Sequence, residues 1–366
     1  MYFLPIVVLL ACAAFAADVS FEGTLDVDYG NYLEKNFKVN NAANQDLRLK
    51  MNIDLDENVR AVVGAASKSQ YFRLSDSSYQ YSRIRHREEA TPIGSDLRFS
   101  PFSFDGFSLE WTVRRDLTFI FGDMFYSFGD FNYYYWRNPD YYAAVLETQG
   151  MRGLGVRFGK EGYVYIGAGD SNNKSGRIAA SYAIAVPGIN QVNNKFTIAP
   201  MVDFIKGGGR SHNYTIGADA NYSRSYTDLN YAIRGIWGLH PSSGSYINTF
   251  TLEPSFNYKN FNLASTCYWA LLSDSTESSK PLTIDQTYTS DERLIYIEPS
   301  YSFNKKFSMG LGFEWHKPDT DSWFLIAPTG YLYPTAGVDL SFWIGYSIVM
   351  HARDNPGFGI SSSVKF

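Results

Sequence analysis

From Thr249 to Trp269 the chain changes solvent preference at every residue, and this constrains its fold more than any other feature. Phe250, Leu252, Pro254, Phe256 and Tyr258 alternate with Thr249, Thr251, Glu253, Ser255 and Asn257. After Lys259-Asn260 the pattern resumes, with Phe261, Leu263, Ser265, Cys267 and Trp269 set against Asn262, Ala264, Thr266 and Tyr268. Successive side chains of a strand point to opposite faces, so each arm has one greasy face and one wet face. A two-residue turn sets Tyr258 opposite Phe261 and Phe256 opposite Leu263, which puts both apolar rows on one side of the ribbon. Strict alternation over about ten residues, with aromatic side chains beside the turn, is the pattern of a membrane-spanning β-hairpin.

The module recurs. Ile297, Pro299, Tyr301 and Phe303 lead through Asn304-Lys305-Lys306 to Phe307, Met309, Leu311, Phe313 and Trp315. Phe324, Ile326, Pro328, Gly330 and Leu332 lead to Val338, Leu340, Phe342, Ile344 and Tyr346. Near the N-terminus, Val19, Phe21, Gly23, Leu25, Val27 and Tyr29 alternate with polar residues, and Leu47, Leu49, Met51, Ile53 and Leu55 with Arg48, Lys50, Asn52 and Asp54. Continued along the chain, the pattern predicts an all-β transmembrane antiparallel barrel of 16 to 18 strands, with 18 preferred and the span 150–204 the least sharply patterned. Short turns on one rim and longer connections at 70–95, 126–149 and 271–291 on the other fit periplasmic turns and extracellular loops. The stretch 187–194 breaks this rule, being long on the short side. Pro200, Pro254, Pro299 and Pro328 also conflict with a closed barrel, since each leaves a ladder hydrogen bond unmade; bulges or rim positions are the expected remedy.

Composition agrees. A mean hydropathy of -0.23 is far too polar for a bundle of membrane helices, while 17% aromatic residues and 30 glycines suit girdled strands and tight turns. The only continuous apolar run lies at residues 2–16. It ends in Ala14-Phe15-Ala16, so residues 1–16 read as a signal peptide and 17–366 as the barrel. Leu9-Leu10-Ala11-Cys12 offers lipoprotein processing at Cys12 as an alternative. Removal of the peptide leaves Cys267 alone and no internal disulfide. The formal net charge of -5 argues against nucleic acid as a partner.

The terminal segment GFGISSSVKF places Phe358, Ile360, Val364 and Phe366 on one parity. It resembles the last strand of Gram-negative outer-membrane β-barrel proteins of the porin kind, apart from Ser362, where an apolar residue is usual. The resemblance implies location in the outer membrane among its lipid and lipopolysaccharide, and delivery to the barrel-assembly machinery through Phe366. It brings no family-specific site.

With the apolar rows toward lipid, the wet rows face the lumen. The candidate pore-lining residues are Arg48, Lys50, Asp54, Arg60, Asp219, Arg234, Glu253, Glu314 and Asp339. A barrel of this width admits water unless loops plug it, so passive diffusion of small hydrophilic solutes is the expected function. Residues 126–142 hold nine aromatic side chains, costly to leave in water, and are expected to fold inward or pack on the wall. Tyr133, Tyr134, Tyr135, Trp136, Arg137 and Asp140 are its candidate constriction or sugar-stacking residues. Arg83, Arg85 and Arg87 form a basic cluster suited to anions or to lipopolysaccharide phosphates. The alternatives are a closed or plugged barrel serving adhesion, and a sugar-selective channel. His86, His212, His240, His316 and His351 all map toward the loop side, with no nucleophile or metal-ligand spacing beside them. No enzyme, cofactor or metal is expected. Gly23, Ala61 and Ala65 on the outer face are where a neighbouring chain of a homotrimer would sit.

Overall fold

The computed structural model describes residues 18–33, 39–73, 98–99, 103–134, 143–159, 162–168, 175–187, 189, 192–207, 210–242, 245–272, 292–318, 322–349 and 355–366. Residues 1–16, expected to be a signal peptide, and Arg83, Arg85, Arg87, Tyr135, Trp136, Arg137, Asp140, His86 and His351 lie outside the described residues.

Eighteen antiparallel strands form one closed sheet. In chain order they are β1 (Asp18–Leu33), β2 (Val39–Asp56), β3 (Val59–Arg73), β4 (Arg98–Phe99 and Ser103–Arg114), β5 (Leu117–Asp130) and β6 (Ala143–Phe158). Then come β7 (Gly162–Ala168), β8 (Ser175–Ser181 and Ile184–Ala185), β9 (Asn194–Gly207), β10 (Arg210–Ser225), β11 (Leu229–Ser242) and β12 (Ser245–Tyr258). The last six are β13 (Phe261–Leu272), β14 (Glu292–Asn304), β15 (Phe307–Pro318), β16 (Trp323–Thr335), β17 (Val338–Val349) and β18 (Asn355–Lys365). The two pieces of β4 both pair with β3, and the two pieces of β8 both pair with β9, so each counts as one strand. Among the described residues there is no helix.

The hairpin that governs the sequence pattern folds as its parity dictates. Tyr258 pairs with Phe261 and Phe256 with Leu263, and Lys259 takes the left-handed conformation (φ 51°) that a tight turn requires. Phe250 and Leu252 are exposed on the outer face, whereas Thr249, Thr251 and Glu253 are buried inside. The apolar rows of β14 to β17 are exposed in the same way, through Ile297, Phe313, Phe324, Ile326 and Phe342. This sidedness is inverted relative to a soluble sheet and is what a hydrocarbon surround demands.

The ring is closed by β1 against β18, from Thr24 opposite Lys365 to Tyr32 opposite Gly357. Beyond the paired segment, Gly23 N donates to Phe366 O (2.8 Å) and Phe366 N to Gly23 O (3.1 Å). The Phe366 ring covers Gly23, where a Cβ would lie 2.5 Å from its Cζ. Gly23 is therefore no free patch for a second chain, and Ala61 is likewise buried beside Ile53.

The prolines do not sit at bulges or rims. Each is paired in register on one side: Pro200 with Ala218, Pro254 with Ile233, Pro299 with Leu263 and Pro328 with Leu311. On the other side the ladder skips two pairs and resumes in the same register, as from Leu252–Cys267 to Ser255–Ala264. The same step runs from Ile297–Phe313 to Ser300–Gly310 and from Ile326–Tyr346 to Thr329–Trp343. Opposite Pro200 the skipped pair is the break inside β8, bridged by Tyr182 N to Pro200 O (3.4 Å). A missing N–H thus opens a local gap without shifting the strand by a residue, which would turn every side chain to the wrong solvent. At Pro254 the Ser265 hydroxyl donates to the proline carbonyl (3.1 Å) and recovers part of the loss.

Strands on the long-loop side extend further than the alternation predicts. The connection expected to begin at 126 begins after Asp130, because Tyr126, Phe128 and Asp130 remain paired with Gln149, Leu146 and Ala143 through two register shifts. That side is also not uniformly long-looped, since only two residues separate Gly207 from Arg210 and Ser242 from Ser245.

Candidate functional site

The interior has two unlike halves, and the end of β5 makes them so. The ladder between β4 and β5 stops at Ser108–Gly122. Beyond it β5 and β6 continue as a pair, and at Gly129 (φ 79°), a conformation that glycine adopts without strain, the chain turns. Residues 131–134 then run across the lumen. Phe131 meets Tyr268 edge to face at 5.5 Å, and Tyr134 meets Tyr296 at 5.4 Å. These contacts reach β13 and β14 from β5. Val145 at the start of β6 is fully buried over Gly217 and Gly238, whose missing side chains make the room: a Cβ on either would lie 2.9 Å from a Val145 methyl.

Polar groups fix this inward segment. Glu253 Oε1 accepts from Asn132 N (2.9 Å) and from the Thr266 hydroxyl (2.9 Å). Arg234 donates through Nη1 to Asp130 O (2.6 Å) and to Glu253 Oε2 (3.1 Å), and through Nε and Nη2 to Asp219 Oδ2 (2.8 and 2.5 Å). A second clamp lies on the same wall. Arg177 holds Asp203 through Nε (2.8 Å) and Nη2 (2.6 Å), and its Nη1 donates to Gln149 Oε1 (2.9 Å). Tyr126 donates to Asp203 Oδ1 (2.8 Å) beneath the same guanidinium. Around these clamps an apolar cluster including Met124, Phe128, Leu146, Met151, Ile236 and Leu294 fills the space. Further along the wall Glu298 accepts from the hydroxyls of Tyr296 and Tyr331.

The other half stays open and charged. Residues of β1 to β7 and β18, most of them on the inner face, line a cavity of about 630 Å³, with Arg48, Lys50, Arg157 and Lys365 set against Glu22, Glu110 and Asp123. Arg157 pairs with Glu110 (2.5 Å), Lys50 lies 3.9 Å from Glu22, and Asn52 donates to Glu22 (3.0 Å). Nearer the short-turn rim Arg60 grips Asp54 (2.6 and 3.3 Å).

The sequence-derived lining residues therefore divide. Arg48, Lys50, Asp54 and Arg60 stand on the open side, and Asp339 is exposed at the rim end of β17. Glu253 and Glu314, 1% and 2% exposed, do not line open space, and Arg234 with Asp219 is largely covered. Alternation gives the face of a side chain but not what packs over it. Tyr134 is buried against the far wall and Tyr133 is partly exposed, while their four sequence neighbours fall outside the described residues. His240 and His316 are buried inner-face residues near the long-loop ends of β11 and β15. Arg177, Asp203, Gln149, Arg157 and Glu110 were missed, although the parity of β8 and β9 places Arg177 and Asp203 inward. Among the described residues no group of His, Cys, Asp and Glu is arranged to hold a metal ion.

Neither a family model nor a curated protein sequence matches this chain. Solved structures do. OccAB4 of Acinetobacter baumannii superposes with a TM-score of 0.54 at 8% identity, covering 96% of this chain and 99% of that one. OpdK of Pseudomonas aeruginosa, solved with vanillate, gives 0.53 at 12% identity over 95% and 98%. The chain has an outer-membrane porin fold. A doubly substituted OccD1 (OprD) is similar to the same degree, with a TM-score of 0.56 at 9% identity and 96% coverage of both chains. At such identities the likeness concerns the barrel fold itself.

Proposed function

We propose that this porin-like barrel is an outer-membrane channel for passive diffusion of small hydrophilic solutes, narrowed by the segment after Gly129. The observation that carries the reading is the bond from Asn132 N to Glu253 Oε1. It ties the inward segment to one wall and leaves the charged cavity on the opposite wall as the route. Eighteen strands enclose a lumen too wide for wall side chains to fill, so the segment sets the bore. Cations outnumber carboxylates around that cavity, so the route favours anionic over cationic solutes of equal size. A small aromatic carboxylate is a fitting probe, since OpdK, a structural neighbour, is solved with vanillate.

Reconstitution of the full chain into planar bilayers tests the reading. Discrete conductance steps with an anion-leaning reversal potential are expected. A folded, heat-modifiable protein that never conducts would replace the channel with the plugged barrel. Current block by oligosaccharide, abolished on changing Tyr135 and Trp136 to Ala, would favour the sugar-selective alternative.

A further inference from the structure

Among the described residues, the lipid-facing wall from β5 to β9 carries charge in one row. By the parity of β5 and β6, Asp123 and Arg152 point outward, between the exposed apolar residues Phe121, Phe125 and Leu154. Arg152 donates to Asp123 through Nε (2.7 Å) and Nη2 (2.9 Å), and Asp123 also accepts from Phe107 N (2.9 Å). The carboxylate is thus saturated and the guanidinium held rigid, while Nη1 is left turned away from Asp123. Following the ladder sideways, Arg152 pairs with Ala168, Ala168 with Gly176, and Gly176 with Lys206, which is exposed. Two cations thus stand three strand spacings apart, about 14 Å, with only small side chains between them.

The next outer row toward the short-turn rim is Phe121, Leu154, Ile166, Ile178 and Phe204, joined pair by pair across the same strands. It is apolar throughout and mostly exposed. Charge on a lipid-facing wall is unfavourable away from the interface, so this row marks a headgroup level. We propose that Arg152 and Lys206 form a binding site for the phosphate groups of an anionic lipid of the outer leaflet, whose acyl chains lie along the apolar row beneath. The order of the rows sets the orientation. From β6 to β9 the cations lie on the long-loop side of the continuous apolar row, so a bound lipid has its headgroup toward the long loops. Asp123 positions the guanidinium, and Lys206 supplies charge that no described carboxylate neutralises. Guanidinium and ammonium are the side chains that bind phosphate oxygens through charge-assisted hydrogen bonds.

This inference rests on the membrane-facing sense of the outer wall and not on conduction, so a non-conducting barrel leaves it standing. The test is native mass spectrometry of the full chain in detergent, titrated with purified lipopolysaccharide and, separately, with its dephosphorylated form. The wild type is expected to retain the phosphorylated lipid and release the dephosphorylated one. Arg152→Gln with Lys206→Gln should weaken retention about 30-fold, and Lys206→Gln alone, which disturbs no described ion pair, about fivefold. Arg114→Gln at the short-turn rim should change nothing. Equal retention by wild type and double variant, retention independent of phosphate, or self-association of the chain through this face in place of lipid binding would each overturn the site.

Discussion

Asn132 donates its backbone N–H to Glu253 Oε1 at 2.9 Å across 121 residues of sequence, and by that contact a segment after β5 is held against β12. Glu253 is almost wholly buried, yet each of its oxygens has a partner: Asn132 and Thr266 on one, Arg234 on the other. Replacing Glu253 by Ala removes this tie and leaves Arg234 with Asp219 and the Asp130 carbonyl. Larger and noisier single-channel conductance in planar bilayers is expected; conductance identical to wild type would mean that the segment does not set the bore.

Gly238 tests the same docking from the wall. A Cβ there would meet Thr249 Oγ1 at 2.6 Å and Val145 at 2.9 Å. Gly238→Val should push Val145 off the wall at a cost of about 1–3 kcal/mol, read as a lower melting midpoint in detergent. Gly235→Ala, with nothing within 4 Å of the new carbon, is the matched control and should leave the midpoint unchanged.

The Arg177–Asp203 pair has both side chains 3% exposed. Arg177→Ala leaves a buried carboxylate with only Tyr126 to solvate it, and should cost about 3–5 kcal/mol. Arg177→Ala with Asp203→Ala removes the stranded charge as well and should recover a good part of that loss. A double-mutant cycle on detergent melting curves reads the coupling; strict additivity would show that the two groups do not act as a pair.

On the open half, Lys50→Glu together with Arg48→Glu reverses two charges in the cavity. The permeability ratio of chloride to potassium, from reversal potentials under a salt gradient, should fall below its wild-type value. Wild-type selectivity in this variant would move the ion path elsewhere.

What the sequence disclosed follows from its period. In a strand the side chain of Phe256 must point opposite to that of Ser255, and hydrocarbon makes the choice of face unambiguous, so sidedness and the register of the tight hairpin were legible from alternation, and strand number to within 16 to 18. The interior was legible only by face. Glu253 and Lys50 both read as inward polar residues, yet one is sealed beneath a crossing segment and the other stands in open space. Their difference is set by Asn132 and Gly238, more than a hundred residues apart, and no local period reports such a contact. The hint lay in composition: Gly217, Gly238 and Thr249 form an inner row of small residues, which is where a wall has left room for something to dock. Pro200 was legible as a conflict but not as its resolution, because the two-pair gap opposite it belongs to β8.

Gly23 and Phe366 carry a consequence for biogenesis. Since β1 takes β2 on one flank and β18 on the other, its second row of amides and carbonyls has no mate while the sixteen strands between are being threaded and inserted. An uncapped border of that length invites pairing with strangers. The cell must shield it until the closing segment arrives, and the aromatic ring that settles onto a bare glycine then works as the latch of the finished cylinder.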